Sequence, residues 1–162
     1  WYTAFTDKLV LMTNAEMGYL GFYNDAVGLS PFERYFVGGD GIAVFQLDGR
    51  EVIGLRGYEN NRLSPLEGGS IYNKFQLELR YSITDAPSAS IYTLGFLEAG
   101  NSYDNFDTFN PFELKRSAGV GVRIFMPAFG LLGIDFAHGF DPLPNGLEKS
   151  GWQTHFIIGR QF

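Results

Sequence analysis

Few residues of this chain are equipped for covalent or metal chemistry. The histidines are His138 and His155, far apart and on opposite faces of the segments that carry them. Cysteine is absent, so there is neither a thiol nucleophile nor a disulfide framework. Ser117 and Ser150 have no base at a useful spacing, and no metal cluster or hydrolytic triad follows. Gly38-Gly39-Asp40-Gly41 lacks the strand–loop–Lys–helix setting of a phosphate loop and reads as a turn. The expectation is a chain with no catalytic residue, no metal and no cofactor. What remains is charge. Glu78, in Leu77-Glu78-Leu79-Arg80-Tyr81, and Glu98, in Leu97-Glu98-Ala99-Gly100, fall on the polar sides of alternating segments. Two sheltered carboxylates require a cation, and one forked guanidinium can serve both. Arg56, in Leu55-Arg56-Gly57-Tyr58, is a candidate. The plainer alternative has Arg56 solvated on a loop and the acids lining water.

The segments that position these groups are short alternating runs joined by links of two kinds. Links 7–8, 85–88 and 127–130 are tight, whereas 24–69, 104–113 and 142–149 are long, and the two kinds alternate along the chain. An antiparallel order then puts every tight turn at one end and every long loop at the other. That sorting is expected of an outer-membrane barrel, with short periplasmic turns and long outer loops. Side chains alternate faces along a strand. In 70–84, Ile71, Phe75, Leu77, Leu79, Tyr81 and Ile83 share the outer face, with Tyr72, Lys74, Gln76, Glu78, Arg80 and Ser82 inside. In 114–126, Ala118, Val120, Val122 and Ile124 point out, and Ser117, Gly119, Gly121 and Arg123 point in. In 131–141, Leu132, Ile134 and Phe136 point out, and Gly133, Asp135, Ala137 and Gly139 point in. In 151–162, Trp152, Thr154, Phe156, Ile158 and Phe162 point out, and Gln153, His155 and Gln161 point in. Arg160 falls on the outer face, close enough to the end to snorkel to headgroups. Inward Gly119, Gly121, Gly133 and Gly139 either clear space for a packed loop or simply allow curvature.

Composition fits this pattern. No apolar run approaches the ~20 residues of a membrane helix, and mean hydropathy is −0.05. Barrels escape hydropathy plots because only alternate residues face lipid. Aromatic residues make up 17% of the chain and glycines number 21, suited to interfacial girdles and close strand packing. A soluble all-β domain rich in Phe and Gly is the alternative. The net charge of −6 and the lack of a basic patch exclude nucleic acid as a partner. Trp1-Tyr2-Thr3 has no leader character, so a secreted barrel is expected to begin upstream. Seven alternating segments can be counted, and seven strands with an open edge cannot be a finished barrel. The expectation is the C-terminal piece of a larger wall, or a wall completed by a partner.

The link 24–69 exceeds the ~12–15 residues beyond which structureless loops become uncommon. It carries a hairpin signal, 42–47 and 50–55 around Asp48-Gly49. Leu55-Arg56-Gly57-Tyr58 follows, and Pro31-Phe32-Glu33-Arg34-Tyr35-Phe36-Val37-Gly38-Gly39 precedes. These residues resemble the Omp85 superfamily, most closely its barrel-assembly branch, whose loop motif is of Val-Arg-Gly-Phe/Tyr type; Leu55 stands in place of Val. The resemblance implies that the loop folds back into the lumen and that Arg56 is held by Glu78 and Glu98, where the family usually has Asp at the second position. The ending 155–162 resembles the C-terminal β-signal of outer-membrane proteins, carried here by Phe156, Ile158, Gly159 and Phe162. Gly159 matches a glycine at which the family's last strand bends, or is a packing glycine.

The resemblance implies an all-β fold, the C-terminal part of a transmembrane antiparallel barrel of about 16 strands in full, preceded by periplasmic POTRA domains. It implies an assembly factor of the bacterial outer membrane that folds and inserts barrel proteins, without nucleotide hydrolysis, through a labile seam between first and last strands. Implied partners are outer-membrane lipids, nascent β-barrel clients and accessory assembly lipoproteins. Alternatives are an exporter of the same superfamily, of TamA-like or two-partner-secretion type, a barrel anchoring an upstream enzyme domain, and a passive pore.

Overall fold

The computed structural model describes residues 1–21, 28, 30, 32–41, 50–86, 88–144 and 149–159. The strands are β1 (Tyr2–Ala4), β2 (Leu9–Tyr19), β3 (Tyr35–Val37), β4 (Glu51–Ile53), β5 (Ile71–Ala86), β6 (Ala89–Tyr103), β7 (Lys115–Met126), β8 (Gly130–Pro142) and β9 (Lys149–Gly159). Seven of them form one sheet in the order β1-β2-β5-β6-β7-β8-β9. Each neighbouring pair in that sheet is antiparallel. Among the described residues the sheet is not closed, since β1 pairs only with β2 and β9 only with β8. The fold is that of a partial antiparallel barrel wall.

Alternation sorts the two faces. Phe75, Leu77, Leu79, Tyr81 and Ile83 of β5 are exposed, as are Val120, Val122, Ile124, Leu132, Ile134, Phe136, Phe156 and Ile158 on later strands. In register with the intervening positions lie Glu78 opposite Met12 and Phe96, and Asp135 opposite Gly121 and His155. An apolar outer face and a polar inner face follow from the period-2 pattern read in the sequence.

Ile71 departs from that pattern. Parity places it on the outer face, yet it is fully buried. β5 has 16 residues, more than the ~9–11 a tilted strand needs to cross a membrane, so one end projects beyond the bilayer. There Ile71 pairs with Tyr19 and Tyr103, and the following link lays Phe106 on Tyr19 (4.5 Å between centroids) and Phe109 on Tyr103 (5.2 Å).

The expected hairpin at 42–47 lies outside the described residues. Of its second arm, β4 pairs in parallel with β3. The link therefore brings two separated pieces of itself side by side. Val37, Leu55, Tyr58 and Leu63, none more than 1% exposed, share one apolar cluster with Tyr35, Ile53, Tyr72 and Leu143. At roughly 1.5–3 kcal/mol for each large apolar side chain buried, this cluster explains how the described parts of the link are held against the wall.

Candidate functional site

The tip of the link is set by main-chain bonds. Gly38 and Gly39, both at positive φ, donate to the carbonyls of Ile53 (3.0 Å) and Leu55 (3.1 Å). Tyr35 of β3 meets Tyr72 of the wall edge-on at 4.7 Å. With Leu55 fixed in the cluster, Arg56-Gly57-Tyr58 lies against the inner face of the sheet.

Arg56 is 5% exposed and makes five hydrogen bonds there. Its Nη2 donates to Oε1 of Glu78 and of Glu98, each at 2.6 Å. Its Nε donates to Oε1 of Glu98 at 2.9 Å, and its main-chain N–H to Oε2 of the same carboxylate at 2.7 Å. Glu98 thus contacts Arg56 directly, through both carboxylate oxygens. A third acid, Asp135, accepts from Arg56 Nη1 at 2.9 Å. Beneath the guanidinium lies Phe96, with Cζ 3.6 Å from the ring centroid, an orientation attractive for a desolvated cation.

The surrounding charges balance. Glu78 also pairs with Arg80 (2.7 Å), and Asp135 with Arg123 (2.5 Å). Three guanidiniums therefore meet three carboxylates. Burial alone disfavours the Arg56 charge, but Glu98, then Glu78 and Asp135, outweigh it and hold its pKa above the ordinary value. Stranding a charge by deleting one member of such a group costs about 3–5 kcal/mol.

Gly57 stands at φ +88°, and a Cβ there would lie 2.8 Å from Ser117 Cβ and 3.1 Å from Gly139 N. Reciprocally, a Cβ on Gly139 would lie 2.4 Å from the Gly57 carbonyl oxygen. Gly139 clears the loop, then, whereas Gly121 and Gly133 give room to the Asp135 and Arg123 side chains and Gly119 to the Phe96 ring. Gly57 N–H donates to His155 Nε2 at 2.9 Å. Tyr58 is fully buried, and its hydroxyl donates to the Arg116 carbonyl at 2.7 Å. Three consecutive residues thus reach β5 through Glu78, β6 through Glu98, β7 through Arg116, β8 through Asp135 and β9 through His155.

The last-strand residues lie apart from this cluster. Phe156 and Ile158 are exposed on the outer face of β9, and Gly159 is its final residue. Phe162, with Arg160 and Gln161, lies outside the described residues. His138 and His155 do sit on opposite faces: His138 packs edge-on against outward Trp152. Sequence reasoning placed Asp135, Arg123 and His155 on the inner face without assigning them to Arg56 or Gly57, and missed Phe96. Among the described residues no group of three or more potential ligands is arranged for a metal ion.

A lipid-facing antiparallel wall whose long loop is pinned to its inner face by a buried arginine defines a membrane barrel with an occupied lumen. The chain belongs to the Omp85 superfamily: the model of the Omp85 superfamily domain matches residues 1–162. A search of curated proteins finds no match. Omp85 proteins are β-barrels of outer or organellar membranes, and membership carries a general role in protein insertion or transport. Members of the superfamily are transporters or insertases rather than enzymes.

Proposed function

We propose that this chain is the C-terminal barrel portion of a BamA-like assembly factor of the bacterial outer membrane, which folds and inserts other β-barrel proteins through a labile seam at its last strand. The observation that carries this reading is the loop tip bonded to five consecutive strands. A loop held there narrows the space inside the wall, and it braces the wall beside an edge strand. The stretch 31–39, similar to that of the barrel-assembly branch, supports the same reading. An edge strand offers its N–H and C=O groups as a template on which a client strand can pair. Glu78 and Glu98 serve in this reading as the acids that lock Arg56. Phe156, Ile158, Gly159 and Phe162 serve as seam and β-signal, with Gly159 weakening local pairing. Upstream strands and POTRA domains, lipids, nascent barrels and accessory lipoproteins complete the proposed machine.

The test is depletion of the full-length protein in its native cells, followed by quantitation of all outer-membrane proteins. Broad loss of unrelated barrels is expected. Loss of one secreted product, with other barrels intact, would instead identify a dedicated exporter.

A further inference from the structure

Among the described residues, one hydrogen bond joins the loop tip 55–58 to β9, from Gly57 N–H to His155 Nε2 at 2.9 Å. A backbone amide can only donate, so Nε2 carries no proton and the imidazole is neutral, with its hydrogen on Nδ1. The other four strands are held differently. Glu78, Glu98 and Asp135 grip Arg56 as ion pairs, and β7 is held through the main-chain carbonyl of Arg116, which does not titrate. Of the five strands that the tip reaches, β9 is also the one at an edge, with a single sheet neighbour among the described residues. Its attachment to the loop therefore rests on an imidazole, a side chain that can gain a proton and with it lose its acceptor.

We propose that His155 is the positioning residue coupling the loop tip to β9, and that a proton added to Nε2 uncouples this strand while the Arg56 clamp stays closed. Protonation turns an acceptor into a second donor facing Gly57 N–H, at a site only 5% exposed where water cannot readily replace the lost partner. The charged groups around the ring come from several elements: Asp135 of β8, Glu98 of β6, and Asp40 and Arg56 of the loop, with Arg123 of β7 bonded to Asp135. Burial and the two guanidiniums oppose an imidazolium, whereas the three carboxylates receive it. Uncoupling leaves β9 held by β8 alone on its described side. This inference holds whether the protein inserts clients or exports one.

The test is hydrogen–deuterium exchange of peptides within 152–158, in full-length protein reconstituted in bilayers, expressed as protection factors at about pH 8 and about pH 5.5. In the native protein, protection of this segment is expected to fall about five- to thirtyfold at the lower pH, the size of one lost buried hydrogen bond. Peptides carrying Glu78 and Glu98 are expected to keep theirs. His155→Gln, whose amide oxygen reaches about as far as Nε2 and does not titrate, is expected to remain protected at both values. His155→Ala is expected to be weakly protected at both, with heat-shifted gel mobility confirming a folded barrel. If His155→Ala does not fold, the native and His155→Gln pair decides alone. A native profile that does not change with pH, or one that His155→Gln reproduces, overturns the proposal.

Discussion

Arg56 shares three carboxylates with two other guanidiniums, and the three acids do not carry equal loads. Among the described residues Glu98 serves Arg56 alone, whereas Glu78 also holds Arg80 and Asp135 also holds Arg123. Arg56→Ala is expected to destabilise the barrel by about 3–5 kcal/mol, seen as a lower temperature for the heat-dependent mobility shift. An unshifted transition would show that the cluster does not need its central cation. Arg56→Lys is expected to recover only part of the loss, because an ammonium keeps the charge but lacks the fork that serves Glu98 from two nitrogens. Gly57→Ala removes no charge and is still expected to displace the tip, since its φ is +88° and the new methyl meets Ser117 and the Gly139 backbone. Increased protease cutting within 50–69 of the folded protein reads that displacement; an unchanged digestion pattern would mean that the backbone there yields.

The elements were legible in the sequence wherever one rule sufficed. Period-2 alternation gave the two faces of β5, β7, β8 and β9, and link length gave the antiparallel order. Alternation says which face a residue occupies but not its height along the wall. Height depends on register, and register is a property of pairs of strands. Asp135 could be placed inside by parity, yet its level with Gly121 and His155 emerges only from pairing with β7 and β9. Phe96 was hidden for a related reason: an aromatic on an alternating strand suggests lipid, and its inward place is recognised only beside Glu78. The parallel pairing of β3 and β4 has no local signature, because it joins pieces separated by an intervening stretch of loop. Arg123 and Asp135 make a sharp test of register. Their single alanine variants are expected to be more damaging in sum than the double variant, with a coupling of about 0.5–3 kcal/mol, measured by denaturant unfolding in lipid vesicles. Additive losses would place the two side chains out of contact.

At the scale of the whole molecule, the two faces of the wall tolerate opposite chemistry. Val120→Lys puts a charge on the outer face and is expected to cost about 2–4 kcal/mol if that position lies near the bilayer midplane, while Gln76→Lys on the inner face is expected to cost much less. Comparing their unfolding in vesicles of one composition checks which face meets lipid; equal costs would contradict the barrel. The reach of the loop tip also bears on the order of assembly. The bonds from Arg56 span 22, 42 and 79 residues of chain, and that from Gly57 spans 98. Contacts of such separation form late, after the nearer hairpins have repaid the entropy of closing the intervening chain. The guanidinium cannot find all its acceptors until β5, β6 and β8 stand in register, so closing the clamp acts as an end-of-assembly checkpoint on the wall. Interactions absent from the folding transition state govern escape from the native state rather than entry into it. The clamp is therefore a kinetic latch, which sets how long a completed wall survives more than how fast it is built.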